Sequence, residues 1–185
     1  MKKTVLFIVL VLVLLSCTQQ SELSNTFDCK QINIVNKKEI IDFNKNFKLL
    51  VPNNWKSKLY FSKNESEIFV ADTIKQLTNS FILSTSFNSG EVIFDANFYK
   101  KTDSILALNN LQIINSGDEV FQSKPTFWYV AKGFKNGFTF HQFNLTSKRT
   151  EKTYFNASVQ IYGDNNINNR ICEAISILEK VEFLQ

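Results

Sequence analysis

Histidine is almost missing from this sequence: His141 is the only one in 185 residues. Metal sites built on histidine pairs are therefore excluded, the H-E-x-x-H zinc helix among them. A Ser-His-Asp arrangement stays formally open through His141, with Ser147 or Ser158 and Asp164 as candidate partners. No G-x-S-x-G elbow accompanies them, and a histidine in a strand is more simply paired or solvated. Glycine (5) and proline (2) are scarce, and neither a P-loop nor a G-x-G-x-x-G pattern occurs. No pair of carboxylates stands out as the acid and nucleophile of a glycosidase. Basic residues are scattered rather than blocked, so nothing here tracks a phosphate backbone, and nucleic acid is not expected as a partner. Lys56, Lys58, Lys63, Lys100 and Lys101 could form a patch toward anionic lipid, although scattered lysines more often make a solvated face. The expectation is a protein without catalytic residues, metal or cofactor.

What is present begins with an export signal. Lys2 and Lys3 precede an unbroken apolar run from Val5 to Leu15, which ends in Ser16-Cys17. This is the order of a charged n-region, an h-region and a cleavage site. The run has 11 residues, whereas a membrane-spanning helix needs about 20. Leu14-Leu15-Ser16-Cys17 resembles the bacterial lipobox, in which the cysteine thiol is diacylated before the leader is cut. Residues 1–16 then read as a signal peptide and Cys17 as the lipid attachment site. Two or more acyl chains of the palmitate kind hold a protein firmly to a bilayer, so the mature chain is expected at the cell envelope. No aspartate follows Cys17, which favours the outer membrane if two membranes are present. Thr18 to Asn25 is polar and aperiodic and reads as part of a tether over residues 17–28.

Losing Lys2 and Lys3 with the leader lowers the net charge from +4 to +2. The remaining length suits one domain, residues 29–185. Phenylalanine is abundant, at 18 residues, for which an AT-rich genome is the bland explanation and an aromatic ligand surface the other. Trp55, Trp128, Tyr60, Tyr129 and Tyr162 could form an exposed recognition platform, but large aromatics are usually buried and core packing is the expected use of most of them. Cys29 and Cys172 are left as an even pair, which in an oxidising exterior reads as a disulfide closing a long loop. Two separate buried thiols are the alternative.

Phe47, Leu49 and Val51 alternate with Lys48 and Leu50, and Pro52-Asn53-Asn54 ends the run. Residues 59–61 and 68–70, then 81–87, give three more strands. The period next switches to helical from about Ala96 to Leu108, with Asp95 placed to cap it. Strands follow at 111–121, 126–132 and 138–145, the last two joined through Asn136-Gly137, a strong hairpin signal. Residues 154–162 alternate clearly. After Asp164, residues Ile167, Ile171, Ala174, Ile175, Leu178 and Val181 form one apolar helical stripe, opposite Asn168, Arg170, Glu173 and Glu179. The order predicts an α+β fold with an antiparallel sheet covered by helices, an α/β/α sandwich.

The opening Phe47-Lys48-Leu49-Leu50-Val51-Pro52-Asn53-Asn54-Trp55, the meander after it and the closing helix that leads to Val181-Glu182-Phe183 resemble PsbP-like domains over about 47–184. The resemblance implies an antiparallel sheet with helices on both faces and a non-catalytic, protein-binding role. Two functions follow as expectations. One is a membrane-anchored interaction module that engages another envelope protein through a face or edge of its sheet. The other is a lipoprotein that holds a small or lipid-like ligand between sheet and helix.

Overall fold

The computed structural model describes residues 21–30 and 32–184. The leader and Cys17 lie outside them. Ten strands and three α-helices make up the fold among these residues. The strands are β1 (Lys37–Ile41), β2 (Phe47–Pro52), β3 (Lys56–Phe61), β4 (Glu65–Ala71), β5 (Ile82–Ser89), β6 (Leu111–Phe121), β7 (Lys124–Lys135), β8 (Phe138–Thr150), β9 (Thr153–Tyr162) and β10 (Glu182–Phe183). The helices are α1 (Glu22–Thr26), α2 (Ala96–Leu108) and α3 (Ile167–Leu178).

Seven strands form one antiparallel sheet in the order β3-β4-β5-β9-β8-β7-β6, and β1-β2-β10 form a second, smaller sheet. The large sheet is two meanders joined by a crossover. After β5 the chain runs through α2 to the far edge, and β6 to β9 then return strand by strand until β9 pairs with β5. Asn136 and Gly137 both have positive φ at the turn between β7 and β8, as a tight hairpin demands. The α+β class and the helix over 96–108 are as the sequence predicts. Asp95 caps that helix, its carboxylate accepting from the Phe98 N–H at 2.9 Å.

Alternation gives the sheet two unlike faces. Phe143, Leu145, Phe155, Ala157, Val159 and Ile161 point to one side, where α3 and the small sheet cover them in the main core. A second cluster on the other side holds Leu106 of α2 against Phe127, Tyr129, Ala131 and Phe140. Cys29 and Cys172 are joined in a disulfide with a Cα–Cα distance of 5.3 Å, tying the start of the domain to α3.

Two sequence expectations are corrected. The tether reading of residues 17–28 fails over its described part, because residues 22–26 are helix α1, with Leu23 buried in the core and Phe27 edge-on to Trp128 and Phe143. Leu23 and Phe27 are four apart and share one helical face, too short a stretch for periodicity to reveal. Arg170, placed by the stripe on the outer side of α3, is 4% exposed. Its guanidinium turns inward to three backbone carbonyls, those of Ser80, Tyr162 and Gly163.

Candidate functional site

The hydrolase arrangement is not assembled. His141 is buried on the core face of β8, its Nε2 3.9 Å from Asp164 Oδ1, and its Nδ1 meets no partner among the described residues. Burial, aided by the Lys132 charge, lowers its pKa and keeps the ring neutral. Ser147 lies six residues along the same strand, about 20 Å away at the rise of a β-strand. Ser158 faces the opposite side of the sheet, paired with Asn144 and Ser84. Among the described residues no group of three or more His, Cys, Asp or Glu side chains could hold a metal ion.

Four of the five nominated aromatics are core: Trp55, Trp128, Tyr129 and Tyr162 are all buried. Tyr60 is the exception at 49% exposed, and it sits on β3, an edge of the large sheet. All six residues of β3 are exposed. Beside Tyr60 is a pair that the sequence reading missed: Phe61 (60% exposed) stacks face to face on Phe43 (55% exposed), with centroids 3.8 Å apart and planes within 3°. Leu59, two residues from Phe61 on the same side of the strand, is exposed as well. Lys56 and Lys58 lie on the other side with Tyr60.

The two edges of the sheet are treated differently. At the far edge α1 closes on β6: Glu22 accepts from the Val120 N–H at 3.3 Å, and Glu119 accepts from both Thr26 and the Trp128 indole. A register shift between Ile113 and Asn115 further breaks that strand, and such irregularities blunt an edge. Among the described residues β3 has a partner strand, β4, on one side only. In an antiparallel ladder alternate N–H and C=O groups of such a strand point outward with no partner strand.

A second feature lies on the helix α2 side of the sheet. α2 packs chiefly on β6, so it roofs the β6–β7 half and leaves the β5–β9–β8 part of the same face as the floor of an open groove of about 420 Å³. The floor is a polar row rather than an apolar one. Ser86, Asn156 and Thr146 stand side by side on three neighbouring strands. Asn88 and Asn144 flank them, and Phe98, Thr102 and Ile105 of α2 form the wall. The groove lies where a small or lipid-like ligand is expected, between sheet and helix, with this polar floor and the partly apolar wall of α2. Burial pushes the Tyr129 phenol up to about 12, and burial and then Glu65 raise that of Tyr154; both therefore keep their protons as donors.

No protein-family model matches the chain, and no curated protein sequence does. Its fold does recur among solved structures. The cyanobacterial PsbP protein of Synechocystis aligns with a TM-score of 0.60 at 10% identity, over 84% of this chain and 96% of that one. The Ran-binding protein Mog1p of Saccharomyces cerevisiae aligns with a TM-score of 0.54 at 10% identity, over 81% and 96%. A protein of Bacteroides thetaiotaomicron gives 0.51 at 10% identity over 82% of this chain, which spans 50% of that longer one. The fold is thus the PsbP-like one that the Phe47–Trp55 opening implied, shared with Mog1.

Proposed function

We propose that this chain is a lipoprotein of the bacterial cell envelope, anchored through Cys17, that acts as a non-catalytic module and binds an envelope protein by accepting an extended segment of it along β3. The observation that carries the reading is the contrast between the two sheet edges, one closed by α1 and the other open over six exposed residues with a stacked aromatic pair at its end. Strand addition draws affinity from main-chain hydrogen bonds and specificity from alternate side chains. Here those are Lys56, Lys58 and Tyr60 on one side and Leu59 and Phe61 on the other, which suits a partner segment with acidic residues alternating with apolar ones. Exposed aromatics are the usual anchors of such contacts. Lysines on an edge also discourage indiscriminate pairing, so the same charges select an acidic partner and reject a second copy of this basic strand. Mog1p, with this fold, is a Ran-binding protein, and the Cys29–Cys172 disulfide suits an oxidising exterior.

The test is a photo-cross-linking amino acid placed at Tyr60 of the full-length chain in its own cells, with the same group at Leu108, 84% exposed on α2, as the control. The expected result is one discrete protein adduct from position 60 and none from 108. Adding Lys56→Glu and Lys58→Glu lowers its yield roughly tenfold or more, because like charges then face each other across the contact. Cys17→Ala releases the chain from the membrane fraction. Equal labelling from both positions, or none from position 60, contradicts the assignment.

A further inference from the structure

We infer that the groove between α2 and the β5–β9–β8 floor is a binding site for a neutral, hydroxyl-rich ligand of the saccharide class. It lies on the opposite side of β5 from the β3 edge and is carried by different observations.

The floor is built from uncharged groups that both donate and accept. Ser86, Asn88, Asn144 and Thr146 are buried, although on β7, next to β8, the same face is packed with the aromatics Phe127 and Tyr129. The hydrogen-bonding capacity of these polar side chains is only partly used within the chain, and the remainder opens on the groove. The Thr146 hydroxyl donates to Asn156 Oδ1 at 3.0 Å and lies 3.4 Å from Asn144 Oδ1, and the Asn88 amide donates to Ser86 Oγ at 2.8 Å. The amide N–H groups of Asn144 and Asn156 meet no acceptor among the described residues, and both residues line the groove. Apolar side chains at these positions would let α2 close onto the sheet, as it does over Phe127 and Tyr129. The polar row holds the groove open instead.

The rest of the lining narrows the ligand class. Phe98 on the wall and the rings of Tyr129 and Tyr154 offer flat apolar surfaces, which complement the C–H faces of a sugar ring while the amides take its hydroxyls. Glu65 and Glu91 at the rim, against Lys101 alone, disfavour a phosphate or carboxylate ligand. The polar floor disfavours an acyl chain, whose burial would strip water from unpaired amides. The volume falls within the roughly 300–1,000 Å³ usual for small-molecule sites and suits a short glycan.

The test uses the full-length chain in a zwitterionic, sugar-free detergent. Saturation-transfer difference NMR is run with maltotriose, cellobiose and the dimer of N-acetylglucosamine as neutral probes, and with glucose 6-phosphate and laurate as the anionic and acyl comparisons. At least one neutral probe is expected to receive saturation, and its affinity to fall about tenfold in Asn156→Leu and in Thr146→Val, the loss that goes with one or two buried hydrogen bonds. Thr146→Val keeps the shape of the side chain and serves if Asn156→Leu shifts the unfolding temperature. Ile74→Asn, at an exposed position in the turn after β4 and outside the groove lining, leaves binding unchanged. The inference is overturned if no neutral probe binds, if binding survives both groove variants, or if laurate or glucose 6-phosphate binds there in preference.

Discussion

Cys29→Ala combined with Cys172→Ala lowers the free energy of unfolding by about 4 to 5 kcal/mol. The bond joins residues 143 apart in sequence, so in the chain-entropy account it closes most of the unfolded domain into one long loop and removes the entropy of its open ends. Both sulfurs sit in the main core, between the N-terminal segment and the middle of α3. Without the bond, α1 and the segment after it depend on Leu23, Phe27 and the hydroxyls of Ser21 and Ser24, which donate to Glu179. For a domain of this size each kcal/mol moves the melting temperature by roughly 2–4 °C, and a fall of about 10–15 °C is expected by calorimetry. Wild-type protein treated with reductant melts with the double variant. A loss below about 1 kcal/mol contradicts the account, since it means that the unfolded chain was never constrained by the bond.

Arg170→Met costs about 3 kcal/mol, measured by urea unfolding. The side chain is a buried three-way connector: one guanidinium nitrogen donates to the carbonyls of Ser80 (3.1 Å) and Tyr162 (2.9 Å), and the other to that of Gly163 (3.2 Å). These carbonyls belong to the segment just before β5, the end of β9 and the turn into α3, so the bonds fix where α3 starts. Burial lowers the Arg170 pKa while Asp164 and Glu173 oppose that shift, and the guanidinium stays charged. Bonds to a charged donor contribute about 1.5–3 kcal/mol each; relief of the buried charge on substitution offsets part of that sum. Methionine keeps the apolar stem and leaves three carbonyls unpaired. Arg170→Lys recovers only part of the loss, because one ammonium cannot reproduce the fork. An Arg170→Met protein as stable as wild type would falsify this role.

The large sheet and α2 were legible because their signals are local. Residues 154–162 alternate cleanly, Asp95 caps its helix through the Phe98 N–H, and Asn136-Gly137 sets one hairpin. Arg170 was misread for a physical reason. Its Cα does lie off the apolar stripe, but a long side chain is not bound to its helical angle, and its partners come from 90 residues earlier and from the β9 turn. The groove could not be seen either. Asn144, Thr146, Asn156 and Ser86 alternate as any wet strand face does, and nothing local says that α2, crossing from the interior strand β5 to the β6 edge, roofs only the strands beside β6. Core packing, the more usual fate of large aromatics, holds for four of the five tryptophans and tyrosines considered, and Tyr60 is exposed; Phe43 and Phe61, 18 positions apart, stack only once the chain is folded. The sequence motif that names Cys17 lies outside the described residues.

Amide hydrogen exchange across Lys56–Phe61 is the most direct measurement of the central claim, that β3 is the edge to which a partner strand adds. It compares the chain in its native membranes with the chain purified in detergent. The outward-pointing amides of β3 should exchange at least about tenfold more slowly in native membranes, while those already bonded to β4 change little and the α2 amides not at all. Equal exchange of β3 in both settings, with protection gained elsewhere on the surface, contradicts the account.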